Sequence, residues 1–153
     1  MKQYLRKILP PEMILFSHKL RAILANLYFG FPARKMIVIG ITGTNGKTTT
    51  ANLIRAILEQ AGFRVGMITT VNISIAGKEE VNETKMTTMS PFLLQSLLTR
   101  MVKAKCQYAI IEVTSHALVQ HRVWGIPFDI AVLTNVTHEH LDYHKNMEEY
   151  KDP

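Results

Sequence analysis

The sequence predicts an α/β fold: a doubly wound, mostly parallel sheet of the P-loop (phosphate-loop) type, with helices on both faces, preceded by an N-terminal amphipathic helix. Three observations predict it. The runs "MIVIGI", "YAIIEV" and "DIAVLTN" are continuously apolar, as expected of strands covered on both faces. Longer stretches with apolar residues at helical spacing lie between them, which points to parallel strands joined by helices. The first run passes straight into the glycine-spaced "GTNGKT" at residues 43–48 and then into a helical pattern, a strand–loop–helix order suited to phosphate.

The elements follow in order. Within residues 1–35, Leu20, Ile23, Leu24 and Leu27 fall at i, i+3, i+4 and i+7, so a helix is expected, packing this face on the main domain or resting on a membrane surface. His18, Lys19 and Arg21 interrupt the stretch, which excludes an unbroken membrane span or a signal peptide. "FPAR" at 31–34 reads as a linker, and the domain proper as residues 36–153. After the strand from Met36 and its loop, a helix from about Thr48 is expected to carry Ile54, Ile57, Leu58 and Ala61 on one face, stopping near Gly62. "FRVGMITT" reads as a second strand, and residues 71–86 as a hairpin or excursion turning at Ala76-Gly77-Lys78. Pro91 suits the first turn of the helix "PFLLQSLLTRMVKA". Two further strands flank a polar connection containing Trp124-Gly125-Ile126-Pro127, and "NMEEYKDP" reads as the start of another helix.

At 153 residues, 47% hydrophobic and 20% charged, the chain is one ordinary globular domain with a sizeable core. The formal charge of +6 fits an anionic partner such as a nucleotide, a phosphorylated substrate or nucleic acid, but simple solubility accounts for most basic proteins; with the motifs below, no nucleic-acid partner is expected. The lone Cys106 excludes an internal disulfide and suits a reducing, cytoplasmic compartment; it reads as a small packing residue.

Ligands of open parallel sheets bind beyond the carboxyl ends of the strands. Here those ends carry Gly43–Thr48, Thr69-Thr70, Glu112 and Asn135. Gly43 and Gly46 allow tight turning and close approach of backbone amides to a polyphosphate, with the following helix adding its positive end. Lys47 would reach the β- and γ-phosphates, and Thr48 would offer a hydroxyl to magnesium. Ile41 stands where the strict G-x-x-x-x-G-K-[ST] pattern has its first glycine, so a glycine turn with a surface lysine is the alternative. Glu112, at a strand end, could complete the magnesium shell or pair with a backbone amide. "NVTHEHLDYH" gathers His138, Glu139, His140, Asp142 and His144. It nearly matches the H-x-H-x-D-H run of binuclear zinc hydrolases, but one extra residue precedes His144, and zinc hydrolysis leaves the phosphate loop unexplained.

Taken together and in this order, "GITGTNGKTTT", "IIEVTSHALVQHRV" and "LTNVTHEHLDYH" resemble the central ATP-binding domain of the Mur ligases, over about residues 36–152. The likeness is strongest to the MurE type, which adds the third amino acid to UDP-N-acetylmuramoyl-dipeptide in peptidoglycan synthesis. The first motif alone is shared with folylpolyglutamate synthases. The resemblance implies nucleotide contacts from Gly43, Thr44, Asn45, Gly46, Lys47, Thr48, Thr49 and Asn135. It implies magnesium at Thr48 and Glu112, and a second magnesium at His140. It implies substrate contacts from Thr87, Thr88, Ser115, Gln120 and Arg122, the last through its planar fork. Where the family often reads Thr-Thr-Pro-Asp-Pro, this chain has "TTMSP", so Met89 and Ser90 make the loop geometry the part not carried over.

The chemistry implied is ATP-dependent amide-bond formation through an acyl phosphate, with Lys47, Glu112 and His140 as the catalytic group. Such phosphoryl transfer rests on positioning and charge neutralisation, which matches an inventory without an obvious nucleophile. Residues 1–35 are shorter than the family's uridine-binding domain. The lysine that the family carbamylates is expected beyond Lys145 and Lys151, and the amino-acid-binding domain in a further segment or a separate chain. The chain alone is accordingly expected to bind nucleotide weakly without turnover. A non-catalytic nucleotide-binding fragment and a folylpolyglutamate synthase-like ligase are the alternatives.

Overall fold

The computed structural model describes residues 10–84 and 86–136. Helix α1, Pro11–Phe29, is followed by a short 3-10 turn, Pro32–Lys35, and by strand β1, Ile37–Thr42. The glycine loop leads into α2, Lys47–Gln60, and then β2, Val65–Ile68. Strands β3, Asn72–Ile75, and β4, Lys78–Val81, form the hairpin rather than an excursion, turning at Ala76 and Gly77, both at positive φ. Next come α3, Pro91–Lys103, β5, Tyr108–Glu112, a short α4, Ser115–Val119, and β6, Ile130–Leu133. The connection expected to be merely polar thus holds α4, whose first turn is capped by Thr114 accepting from the Ala117 amide at 3.2 Å.

The six strands run in the order β4-β3-β2-β5-β1-β6. β1, β2, β5 and β6 pair in parallel, while β3 runs antiparallel to both β2 and β4. The register decides where the chemistry sits. Ile41 lies opposite Glu112, Thr42 opposite Leu133, and Ile68 opposite Ile111. The segments 43–48, 69–70, 112 and 134–135 therefore leave the sheet at one level of one edge.

Side chains alternate along each central strand, so one sheet feeds two cores. Val38, Ile68, Ala109 and Ile111 face the larger core with Leu94, Leu97, Leu98 and Met101 of α3. Ile39, Ile41, Val65, Met67 and Ile110 face the smaller core under α2, with Ala51 and partly buried Ile54 and Leu58. Burying each large aliphatic side chain contributes about 1.5–3 kcal/mol as an upper figure. Cys106 is buried in the larger core, as a packing residue should be.

Two faces differ from expectation. In α2, Ile54 and Leu58 do turn inward, but Ile57 is 68% exposed and Ala61 is exposed. In α1 the leucine stripe turns outward: Leu20, Leu24 and Leu27 are 45%, 49% and 61% exposed, while Ala22, Ala25 and Asn26 are buried. The reason is steric. α1 packs chiefly on α3, and close helix approach favours small residues; Ala22, Ala25 and Asn26 have the same helical spacing as the leucines, so periodicity could not choose between the stripes. Asn26 locks the contact by donating to the Trp124 carbonyl at 2.8 Å. Among the described residues no helix is long and apolar enough to cross a membrane.

Candidate functional site

The phosphate loop bends where β1 ends. Gly43 has φ +131°, and a Cβ there would lie 2.2 Å from the Thr134 hydroxyl and 2.7 Å from the Asn135 carbonyl, so only glycine fits. Gly46, at φ +83°, starts α2 without any side-chain cap, leaving the helix's first amides directed at the loop's concavity. Lys47 folds over the loop, its Nζ donating to the carbonyls of Gly43 at 2.6 Å and Thr44 at 2.8 Å. Thr44 is buried, Asn45 is exposed at the tip, and Thr49 is exposed on the first turn of α2.

The segment after β6, residues 134–135, braces this loop from the other side. The Asn45 amide donates to Asn135 Oδ1 at 3.0 Å, and Asn135 Nδ2 donates to the Asn45 carbonyl at 3.2 Å. The Thr44 amide donates to the Asn135 carbonyl at 3.0 Å, and the Thr134 hydroxyl to the Asn45 carbonyl at 2.7 Å. Asn135 thus holds the loop in shape. Thr134 does the same, although nothing in its residue type singled it out.

Glu112 is the centre of the arrangement. It is fully buried, yet three donors converge on its carboxylate. Thr48 Oγ1 reaches Oε1 at 2.5 Å, while the Thr70 amide and hydroxyl reach Oε2 at 2.6 and 2.7 Å. Burial of a carboxylate on this scale demands such compensation. Thr70 carries the network outward: with its one hydroxyl proton given to Glu112, its oxygen accepts from the Thr87 hydroxyl at 2.9 Å. Thr70 was visible in the sequence as a polar strand ending; its bond to Glu112 was not.

The second threonine of the pair faces inward. Buried Thr88 donates to the Glu112 carbonyl at 3.1 Å and accepts from the Thr114 amide at 3.2 Å. Met89, replacing the proline expected in the family, is fully buried in the larger core and anchors this loop by packing. Arg122 donates to the Thr88 carbonyl at 2.6 Å and, through Nε and Nη2, to Gln120 Oε1 at 3.0 and 2.7 Å. Its planar fork is therefore fixed next to the threonine pair, and Gln120 acts as its holder. Ser115 opens α4 one residue after its cap and is half-buried. Of the expected site, the structure gathers Gly43 to Thr48, Glu112, Asn135, Thr87, Thr88, Gln120 and Arg122 into one connected region. His140, with His138, Glu139, Asp142 and His144, lies outside the described residues.

The donor set suits a hard cation. A hydroxyl and a carboxylate oxygen meet beside a phosphate loop, and among the described residues no group of three or more His, Cys, Asp or Glu could hold a metal unaided. Magnesium has this preference, taking one or two protein oxygens and completing its shell with phosphate and water.

Comparison with known proteins identifies the family. The Mur ligase middle domain matches residues 41–153. UDP-N-acetylmuramoyl-L-alanyl-D-glutamate--2,6-diaminopimelate ligases are similar: that of Parabacteroides distasonis is 45% identical over 128 residues, covering 84% of this chain and 26% of the relative. That of Bacillus cereus is 43% identical over 142 residues, covering 93% and 28%. The chain thus spans about a quarter of the length of these relatives. A solved structure of a ligase of the same description superposes with a TM-score of 0.73 at 28% identity, over 86% of this chain and 27% of that one. Escherichia coli FolC in complex with DHPP and ADP shares the fold, with a TM-score of 0.63 at 23% identity, over 80% of this chain and 34% of that one.

Proposed function

The chain belongs to the Mur ligase family, whose middle domain it matches, and from that premise we propose that it is the ATP-binding part of a ligase joining an amino acid to UDP-N-acetylmuramoyl-dipeptide. The observation that carries the reading is the bond between Thr48 and Glu112 at the mouth of the phosphate loop. It brings a metal-binding hydroxyl and carboxylate together beside amides suited to phosphate, at the sheet edge where such ligands bind.

In this reading the loop amides of residues 43–48 and the ammonium of Lys47 hold the β- and γ-phosphates. Lys47 exchanges its two carbonyl partners for phosphate oxygens. Thr48 and Glu112 would hold magnesium, which would supply neutralisation of the charge developing on the transferred phosphoryl group. Asn135 keeps the loop's shape. Thr87 and Arg122 seat the muramoyl substrate so that its terminal carboxylate lies in line with the γ-phosphate. That carboxylate attacks, breaking the β–γ phosphoanhydride bond and releasing ADP. The amine of the incoming amino acid then displaces phosphate, losing a proton as the amide forms. His140 is assigned to a second magnesium by resemblance alone.

The test is equilibrium binding and phosphate release. ATP with magnesium is expected to raise the melting temperature of the chain, since at a hundredfold excess over Kd a ligand adds about 2.7 kcal/mol. Lys47→Ala is expected to abolish that rise while leaving the melting temperature without ligand unchanged within a few degrees. Phosphate release is then assayed with UDP-N-acetylmuramoyl-dipeptide plus diaminopimelate or lysine, and separately with a folate plus glutamate. Nucleotide binding that survives Lys47→Ala, or turnover with the folate alone, would sink the proposal.

A further inference from the structure

Helix α1 presents a second face that no described element covers. Met13, Phe16, Leu20, Leu24 and Leu27 recur at intervals of three and four, which at 3.6 residues per turn sets them on one arc of about 80°. All five are 45–69% exposed. The opposite face, with Ala22, Ala25 and Asn26, is buried, and the bond from Asn26 to the Trp124 carbonyl holds the helix in place. Charge is concentrated on the same segment. Residues 1–35 hold seven of the 18 Lys and Arg and one of the 12 Asp and Glu, so they carry the whole formal charge of +6, while residues 36–153 are balanced at eleven of each. We propose that the outward face of α1 rests on the surface of a bilayer containing anionic lipid, as a peripheral anchor ahead of the domain matched at 41–153. This does not depend on the ligase reading.

Three arguments favour lipid over other occupants. First, a contiguous row of bulky apolar side chains on a surface marks an interaction site, and a helix built this way lies in the plane of a membrane with that row among the acyl chains. The 19 residues of α1 give it a length of about 28 Å, enough to lie along the surface. Second, Lys19 and Arg21 are exposed on either side of the row, and their long apolar stems let the charged ends reach headgroups while the row is buried. Arg34 and Lys35, just after the helix, are exposed as well, and Lys2, Arg6 and Lys7 precede it in sequence with no acidic residue among residues 1–9. Such a basic cluster next to an apolar helix face is attracted to anionic headgroups. Third, the rivals fit less well. A second copy packed on this face would bring two segments of +6 together, with Glu12 the one acid in each to offset them. A nucleic acid would satisfy the charge but leave five apolar side chains without a partner.

The experiment is co-sedimentation of the 153-residue chain with vesicles of phosphatidylcholine alone and of phosphatidylcholine mixed with phosphatidylglycerol, alongside analytical ultracentrifugation without lipid. Wild type is compared with Leu20→Glu/Leu24→Glu and with Lys19→Gln/Arg21→Gln. All four side chains are exposed, so both variants are expected to melt as wild type does. Phe16→Glu, at the most exposed of the five apolar positions, repeats the test should the leucine pair disturb the helix. Wild type is expected to sediment with the mixed vesicles and to be released as salt rises. Lys19→Gln/Arg21→Gln is expected to weaken that binding about ten- to thirtyfold and to leave phosphatidylcholine binding unchanged. Leu20→Glu/Leu24→Glu and Phe16→Glu are expected to lose both. Wild type left in the supernatant with the mixed vesicles overturns the proposal and leaves the face to a protein partner. Glutamate variants that bind as wild type does overturn it too, since charge alone would then hold the lipid. So does a wild-type dimer that the glutamate variants break, which would make a second copy the occupant.

Discussion

Glu112 accepts from Thr48 and twice from Thr70 while fully buried, so its charge and its shape make separable contributions. Glu112→Gln preserves shape and removes charge. One amide nitrogen must then face donors that a carboxylate would accept from, at a cost of about 1–3 kcal/mol. Urea unfolding is expected to show that loss, and calorimetry a fall of about tenfold or more in ATP affinity with magnesium. A variant that binds ATP–magnesium as wild type does would remove Glu112 from the metal site. Lys47, Thr48, Glu112 and Asn135 were legible as residues because a parallel sheet presents its ligands at strand ends. Thr70 was legible in the same way, but its bond to Glu112 was not, and Thr134 was not legible at all, since a threonine beside a strand end is unremarkable until the register sets it against a partner. Thr88 was legible as part of a pair, but only the fold shows its hydroxyl turned toward the Glu112 and Thr114 backbone.

The elements themselves were readable with few errors. Continuous apolar runs became β1, β5 and β6, Pro91 does open α3, and Gly62, at φ +87°, follows the end of α2 as expected. The faces of helices were harder. α1 carries two stripes of equal spacing, and the bulkier one is exposed because α3 admits only the smaller. Two substitutions check this. Ala22→Leu is expected to overpack the contact and cost about 1–3 kcal/mol in chemical denaturation, whereas Leu24→Ala should stay within about 0.5 kcal/mol of wild type. The reverse ranking would mean that the leucine stripe faces the domain. α4 escaped notice since five residues give no periodicity to read.

Across the whole molecule, one sheet feeds two cores, and Cys106 sits in the larger of them. Burial pushes its thiol pKa up, against smaller lowering effects from the Ala76 backbone and the Arg64 charge. The unfolded thiol ionises near its ordinary value of 9.0, the folded thiol only above it, so the unfolded chain loses its proton first as pH rises. The thiol's contribution to stability is therefore complete below pH 9.0 and lost as pH climbs through the folded value. Denaturation of wild type and Cys106→Ala at neutral and strongly alkaline pH is expected to show wild type losing more stability than the variant; equal losses would mean that the thiol is not protected. By itself the sequence determined the strand–helix alternation, the glycine loop and the polar strand endings, because backbone sterics, side-chain period and phosphate-binding geometry act over neighbouring residues. Only the tertiary structure decided that Thr48 meets Glu112 across 64 positions of sequence and that α1 turns its alanines inward. Those outcomes depend on register and on which helix surfaces can approach closely, and neither is encoded within any single segment.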